Sequence, residues 1–295
     1  MKEMQPGDVY KRATALLQEA QSFRHSVEKG VTEATFSPKV EYPSLPIAIL
    51  LATDIHYGSI GTNYDLLESH LGIVEDTPNF YMVSNGDEVD NFNAIFFSSG
   101  TFENPLPPQL QSLAIIDRLT QLDEEGKLGA ISFGNHNDFM SEAGYTWLET
   151  FGRKFRAPVF TRGGILTIEH GQQDYKLGIT HRYWGASKLN PTNMPKRFME
   201  YEYPEADISF LGHYHQSEIL QGDKAGREKI WNIGGTYKER DDWSRTKGIS
   251  GRSGQPGHTV LLYPDEKKMV AFKHIEDAQQ VMLSLIFQHE RTSNT

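Results

Sequence analysis

The sequence predicts an α/β domain in which two sheets face each other with helices outside. Two observations carry that expectation. Up to about residue 136, apolar runs of strand length alternate with stretches of helical period, the pattern of βαβ units. Beyond Gly163 the texture changes to closely spaced strand-like runs, and no repeat, low-complexity tract or linker divides the chain. At 295 residues and 38% hydrophobic content, one large domain can bury a sizeable core. The expected organisation is one domain over residues 1–295 with an N-terminal helical extension at about 8–30.

In that extension Val9, Ala13, Leu16, Leu17, Ala20 and Phe23 recur at helical spacing, with Asp8 as N-cap and Gly30 as the stop. Residues 31–46 hold three prolines and read as an irregular connector. Strands are expected at 45–53, 80–84 and 129–133, and helices at 63–74 and 110–122. The stretch 92–108, rich in aromatics, Gly, Asn and Pro, reads as a loop suited to walling a substrate. Later strands are expected at 165–169, 175–180, 208–211, 229–233, 259–263 and 269–273, with helices at 190–202 and 277–288.

The early strands end on polar clusters. The run from Leu50 to Thr53 closes in Asp54 and His56, and strand alternation points both to the same side. A carboxylate and an imidazole converging at a strand end suggest a divalent metal. Four more such stretches follow in order: Gly86-Asp87-Glu88-Val89-Asp90, Gly134-Asn135-His136, His181 after Thr180, and Gly212-His213-Tyr214-His215. Chance supplies roughly 0.6 copies of Asp-x-His but only roughly 0.08 of Gly-Asp-x-x-Asp and roughly 0.04 each of Gly-Asn-His and Gly-His-x-His. The ordered set therefore carries the signal. Taken singly, His213 and His215 also fit an ordinary strand, Asp87 a turn and Asn135 a helix cap.

Composition narrows the chemistry. The chain has no cysteine, which excludes disulfides and thiolate zinc sites. A metal must be held by Asp, Asn and His, a donor set that suits Mn²⁺, Fe²⁺, Zn²⁺ or Ni²⁺. A net charge of −10 argues against holding nucleic acid by bulk electrostatics. No apolar run approaches the ~20 residues of a membrane span, and the first residues contain no signal-peptide core. A soluble, cytoplasmic protein with no membrane partner is expected.

The five stretches from Asp54 to His215 resemble the calcineurin-like metallophosphoesterase superfamily element by element. Thr180-His181-Arg182-Tyr183, Asn190-Pro191-Thr192, Lys196-Arg197-Phe198 and Gly234-Gly235-Thr236-Tyr237-Lys238 look like its phage and prokaryote branch. The resemblance implies a four-layer α/β/β/α sandwich of two mixed sheets flanked by helices, with two divalent ions, Mn²⁺ foremost, at the strand ends. Asp54, His56 and His215 would hold one ion, Asn135, His181 and His213 the other, and Asp87 would bridge them. His136 would be the proton donor or phosphate-side electrophile, oriented by Asp90. The implied reaction is hydrolysis of a phosphodiester or phosphomonoester by metal-activated hydroxide attacking phosphorus in line.

Departures from the family pattern sharpen the expectation. Phe133 replaces the Arg that protein Ser/Thr phosphatases usually place before Gly-Asn-His, and Asp90 replaces the Tyr ligand of purple acid phosphatases. Asn137 stands where many members carry Asp or Glu. The substrate, a nucleotide or nucleic acid included, stays open. A nuclease is the alternative, with Arg182, Lys188, Lys196, Arg197, Lys238, Arg240 and Arg245 as a phosphate track. An inactive scaffold is a third and weaker reading. Tyr183, Trp184, Phe96, Phe97 and Phe102 are expected to wall the substrate.

Overall fold

A computed structural model describes residues 32–91, 104–138, 154–187, 189–239 and 254–293. The N-terminal extension, Phe96, Phe97, Phe102, Lys188, Arg240 and Arg245 lie outside them. One sheet joins β2 (Ile47–Ala52), β3 (Phe80–Asn85), β4 (Leu128–Ser132), β5 (Val159–Phe160), β11 (Thr259–Leu262) and β12 (Met269–Phe272) in the order β12-β11-β2-β3-β4-β5. The other joins β1 (Glu33–Phe36), β6 (Gly164–His170), β7 (Gln173–Thr180), β8 (Ile208–Leu211), β9 (Glu218–Lys224) and β10 (Arg227–Ile233) in the order β1-β6-β7-β8-β10-β9. Both are mixed: β2 to β5 run parallel beside antiparallel β11, and β7, β8 and β10 run parallel beside antiparallel β6 and β9.

The layers follow from side-chain alternation. Along β2, Ile47, Ile49 and Leu51 face the other sheet, where they meet residues such as Leu177, Ile179 and Phe210. Ala48, Leu50 and Ala52 face outward onto α1 (Tyr64–Asp76), α2 (Pro108–Glu124) and α4 (Ile275–Ser293), through Leu67, Leu71, Ile115, Leu119 and Met282. Because both faces are covered, β2 and β3 are apolar almost throughout, and each fully buried large apolar side chain contributes about 1.5–3 kcal/mol. On the far side α3 (Asn193–Tyr201) closes the second sheet with Met194 and Phe198 against Leu211 and Ile233. The α/β/β/α order is complete. Asn63 starts α1 by accepting the Leu66 amide on its side chain at 2.9 Å.

Three strands differ from the sequence expectation. β1 falls in the stretch read as a connector and forms by pairing parallel to β6. β5 is two residues long, too short for a periodic signal. β9 is joined to β10 by Ala225-Gly226, with φ of 55° and 75°, the two-residue turn that hairpin twist favours. Alanine in place of the usual Asn or Asp hid it. Among the described residues no helix is long and apolar enough to cross a membrane.

One side chain ties the sheets together beside the polar end. Asn85, buried at the end of β3, donates from Nδ2 to Thr180 O and to Phe210 O, both at 3.0 Å, on the opposite sheet. Asn85→Ala deprives two buried carbonyls of this donor and is expected to lower the unfolding free energy by roughly 2–4 kcal/mol in urea denaturation. A loss below about 0.5 kcal/mol, typical of surface substitutions, would contradict this role.

Candidate metal centre

β2, β3, β4, β7 and β8 end at Ala52, Asn85, Ser132, Thr180 and Leu211, so each hands one motif to the same end of the sandwich. This is where open parallel sheets place their sites. Backbone bonds stitch the loops together: Asp54 N donates to Gly86 O at 3.1 Å, His56 N to Asp87 O at 2.9 Å and Gly212 N to His181 O at 3.1 Å.

Asp54 and His56 do point into one pocket, but not by strand alternation. β2 has already ended, and both residues have φ of 51°; Asp87, His213 and His215 follow at 53°, 71° and 53°. Five of the seven expected ligands thus adopt the left-handed conformation, at about 1–2 kcal/mol each. Such strain gathers at functional sites, where the surrounding structure over-determines it. The motif glycines serve close approach. A Cβ on Gly134 would lie 2.1 Å from Asp87 Oδ1, and one on Gly212 would lie 2.1 Å from Thr53 Oγ1 and 2.7 Å from Asp54 Oδ2.

The side chains gather in three overlapping groups whose ligand atoms lie within 4.8 Å of one another: Asp54, His56 and His215; Asp87, His181 and His213; and His56, Asp87 and His136. Asn135 joins the second through Oδ1, 2.7 Å from His213 Nδ1. All seven expected ligands and His136 therefore meet. Asp90 is placed differently from the expectation. Its backbone carbonyl, not its carboxylate, faces His136 Nδ1 at 2.5 Å, while Oδ1 lies 2.9 Å from His56 Nδ1 and 2.8 Å from Lys238 Nζ. Lys238 and His56 hold the carboxylate on the side away from His136.

The residues fit a divalent cation. His56 Nε2 and His215 Nε2 face each other at 3.0 Å, with Asp54 Oδ1 at 3.8 and 3.3 Å from them. Donors about 2.1 Å from one ion and at right angles around it would be about 3.0 Å apart. His181 Nε2 is buried 3.0 Å from Asp87 Oδ2, at an angle that forms no hydrogen bond. Such a nitrogen and carboxylate can share a cation in place of a proton.

Without an ion the charges answer each other. Burial works to raise the pKa values of Asp54 and Asp87, but the facing histidines overcome it and hold both carboxyls well below their usual range. Burial alone would lower His56 and His181. The carboxylates reverse that, raising His56 to about 9 and His181 to about 10. Burial, with His181 nearby, takes His213 down to about 4. Burial also lowers His136, against the pull of Asp87.

Sequence reasoning missed the clamp beneath these ligands. Asn137 Oδ1 accepts the amides of Gly134 at 2.8 Å and Asp87 at 3.1 Å, and its Nδ2 donates to Glu88 Oε2 at 2.9 Å. Glu88 is fully buried, its pKa is raised chiefly by burial, and it also accepts from Ser84 Oγ at 2.6 Å. Position 137 must accept from both loops and also donate to Glu88, which an amide does and an ionised carboxylate cannot. The departure noted in the sequence was the available signal. Of the expected cation track, Arg182 is exposed, Lys196 and Arg197 rest over the rings of Trp231 and Trp184, and Lys238 is buried. Trp184 is 56% exposed beside Tyr201, with ring centroids 6.0 Å apart. Tyr183 accepts on its carbonyl from Tyr214, whose ring meets that of His213.

No family model matches the chain, and no curated protein does. Solved structures with some likeness include a conserved uncharacterised protein of Streptococcus pneumoniae, described as a predicted phosphoesterase (14% identity, 77% of this chain and 97% of that one, TM-score 0.33). A Mycoplasma pneumoniae phosphatase is 9% identical over 77% of this chain and 92% of that one, TM-score 0.41. The Pseudomonas putida nuclease MPE is 12% identical over 76% and 87%, TM-score 0.32. Likeness at this level carries no weight for chemistry, which rests on the site itself.

Protons and metal compete for the same nitrogens, so metal uptake should release protons. With His56 and His181 protonated at neutral pH, calorimetric Mn²⁺ titrations in buffers of different ionisation enthalpy should show proton release, and apparent affinity should rise towards pH 9–10. The stability sign is fixed as well. A histidine pKa raised above its ordinary 6.5 stabilises the metal-free fold below that value, and the benefit is lost as pH rises through 9–10. Buffer-independent enthalpies would contradict this charge state.

Proposed function

We propose that the chain is a phosphoesterase of the calcineurin-like type that uses two divalent ions, with Mn²⁺ the best-suited first choice. One observation carries the reading: two carboxylate–imidazole clusters, Asp54/His56/His215 and Asp87/His181/His213, meet at one strand end beside the ring of His136. Asp54, His56 and His215 would hold one ion. Asn135, His181 and His213 would hold the other, with Asp87 shared. Two divalent ions against two carboxylates leave about +2, a charge suited to an anionic phosphoryl group. When bound, they supply Lewis acidity to a phosphoryl oxygen and lower the pKa of water enough to furnish the nucleophile.

The chain's own residues do the rest. A backbone carbonyl only accepts, so Asp90 O keeps the proton of the His136 ring on Nδ1 and turns Nε2 forward. The His136 amide donates to Asp87 Oδ1 at 2.8 Å, which ties the ring's position to the shared carboxylate. From Nε2 the protonated ring delivers a proton to the leaving oxygen. Burial holds this pKa below its ordinary 6.5, so the fall in the protonated fraction, and with it in the rate of esters with poor leaving groups, is centred below that pH.

Protein loaded with Mn²⁺ should hydrolyse mono- or bis-nitrophenyl phosphate, and Asp87→Ala should abolish turnover. His136→Ala should cost about 10²–10⁴-fold in kcat on an alkyl phosphate ester and less on a nitrophenyl ester, whose leaving group needs no proton. No turnover with Mn²⁺, Fe²⁺, Zn²⁺ or Ni²⁺ would overturn the reading. The nuclease alternative keeps Arg182, Lys196 and Arg197 as its described support and loses Lys238, whose charge is spent on Asp90. Single- and double-stranded oligonucleotides assayed beside nucleotides separate the two.

A further inference from the structure

Among the described residues the buried lysines are Lys229 and Lys238. The Lys238 side chain is 2% exposed, and Nζ donates to Asp90 Oδ1 at 2.8 Å, where the carboxylate itself is fully buried. The same oxygen lies 2.9 Å from His56 Nδ1, bent away from a straight hydrogen bond, while Asp90 Oδ2 accepts from Asn104 Nδ2 at 2.9 Å. On the other side of the His56 ring, Nε2 faces His215 and Asp54. Lys238, Asp90 and His56 thus form a line that leads to the Asp54/His56/His215 position.

The segment that carries Lys238 contributes no expected ligand, yet it braces both residues of the Asp54-x-His56 motif. Thr236 Oγ1 and the Tyr237 amide both donate to Asp54 O, at 2.8 and 3.1 Å, and the Lys238 amide donates to Thr236 Oγ1 at 3.0 Å. Asn63 N donates to Tyr237 O and Glu239 N to Gly61 O, so the chain on either side of Lys238 is pinned to the loop that follows His56. The backbone holds Asp54 in place, and the lysine side chain reaches past it to the carboxylate behind His56.

A carboxylate behind a ligating imidazole keeps the proton on the rear nitrogen and directs the front lone pair to the metal. A buried carboxylate can do this only while it stays in place as an anion, and an unpaired buried charge is costly. We propose that Lys238 is a positioning residue for one ion only: by pairing with Asp90 it fixes the carboxylate that aims His56, and so sets the affinity of the Asp54/His56/His215 position. The inference rests on the proposed two-ion site and adds to it a residue with no ligand role.

The test is Mn²⁺ titration of the whole chain by calorimetry, with no substrate present. Wild-type protein should bind two ions. In Lys238→Met one of them should weaken by about 10–100-fold while the other keeps its affinity. Asp90→Asn should weaken the same ion, and the double variant Asp90→Asn/Lys238→Met should be no weaker than Asp90→Asn alone, because the lysine acts through that carboxylate. If Lys238→Met does not fold, Lys238→Gln and the charge-neutral double variant supply the measurement. Equal weakening of both ions marks general loosening of the site and overturns the proposal, as do unchanged affinities or additive losses. Wild-type protein that takes up no Mn²⁺ overturns the two-ion reading as well, whereas normal wild-type binding with an unaffected Lys238→Met overturns only the role of the lysine.

Discussion

Two carboxylates, Asp54 and Asp87, are buried almost completely at the same end of the sandwich, and the surrounding structure is shaped by the need to answer their charge. Desolvating an anion is expensive unless a cation or several donors compensate it. Here the compensation is a ring of imidazoles, and the price appears as histidines that hold protons far above their ordinary range. A pocket whose buried carboxylates draw protons onto the facing histidines suits divalent ions, which would supply the same charge without them.

The same demand explains the backbone. To face inward after β2, β3 and β8, five of the seven expected ligands take left-handed turns that a sequence of β-type residues would avoid. The strain is carried by what lies below it: two covered sheets, the Asn85 bonds between them, and the Asn137–Glu88 clamp that joins the loops after β3 and β4. Glycine at 134 and 212 leaves no side chain between one loop and the carboxylate of the next. The ligands are held from behind by residues that touch no ligand atom of the proposed ions, and Lys238 belongs to that group.

Much of this was legible in sequence because burial writes a plain pattern. β2, β3 and β8 are mostly apolar runs that lead into polar residues, β7 becomes so from Leu177 onward, and the ordered motifs mark the side chains that converge in the pocket. What escaped was tertiary in origin. β1 and β9 are sheet-edge strands, the first only four residues long and the second mostly polar, so only pairing defines them. Asp54 and His56 meet through φ of 51° and not through the pleat, a conformation no periodicity announces. Lys238 looked like a surface cation because charge alone does not reveal that Asp90 waits beside it. His258 carried no motif either. It sits 2.5 Å from the Asn232 side-chain amide and 2.9 Å from Ser217 Oγ, with a pKa that burial takes down to about 3. Ser217 donates to Gln255 O, so a neutral His258 joins three segments and leaves no free nucleophile.

The account turns on whether these side chains grip a pair of cations. Crystals grown with Mn²⁺ and measured near the manganese absorption edge would show it directly in an anomalous difference map. Two peaks about 3.5–4 Å apart are expected, one against Asp54, His56 and His215 and the other against Asn135, His181 and His213, with Asp87 between them. A single peak, or none at the strand ends, would contradict it.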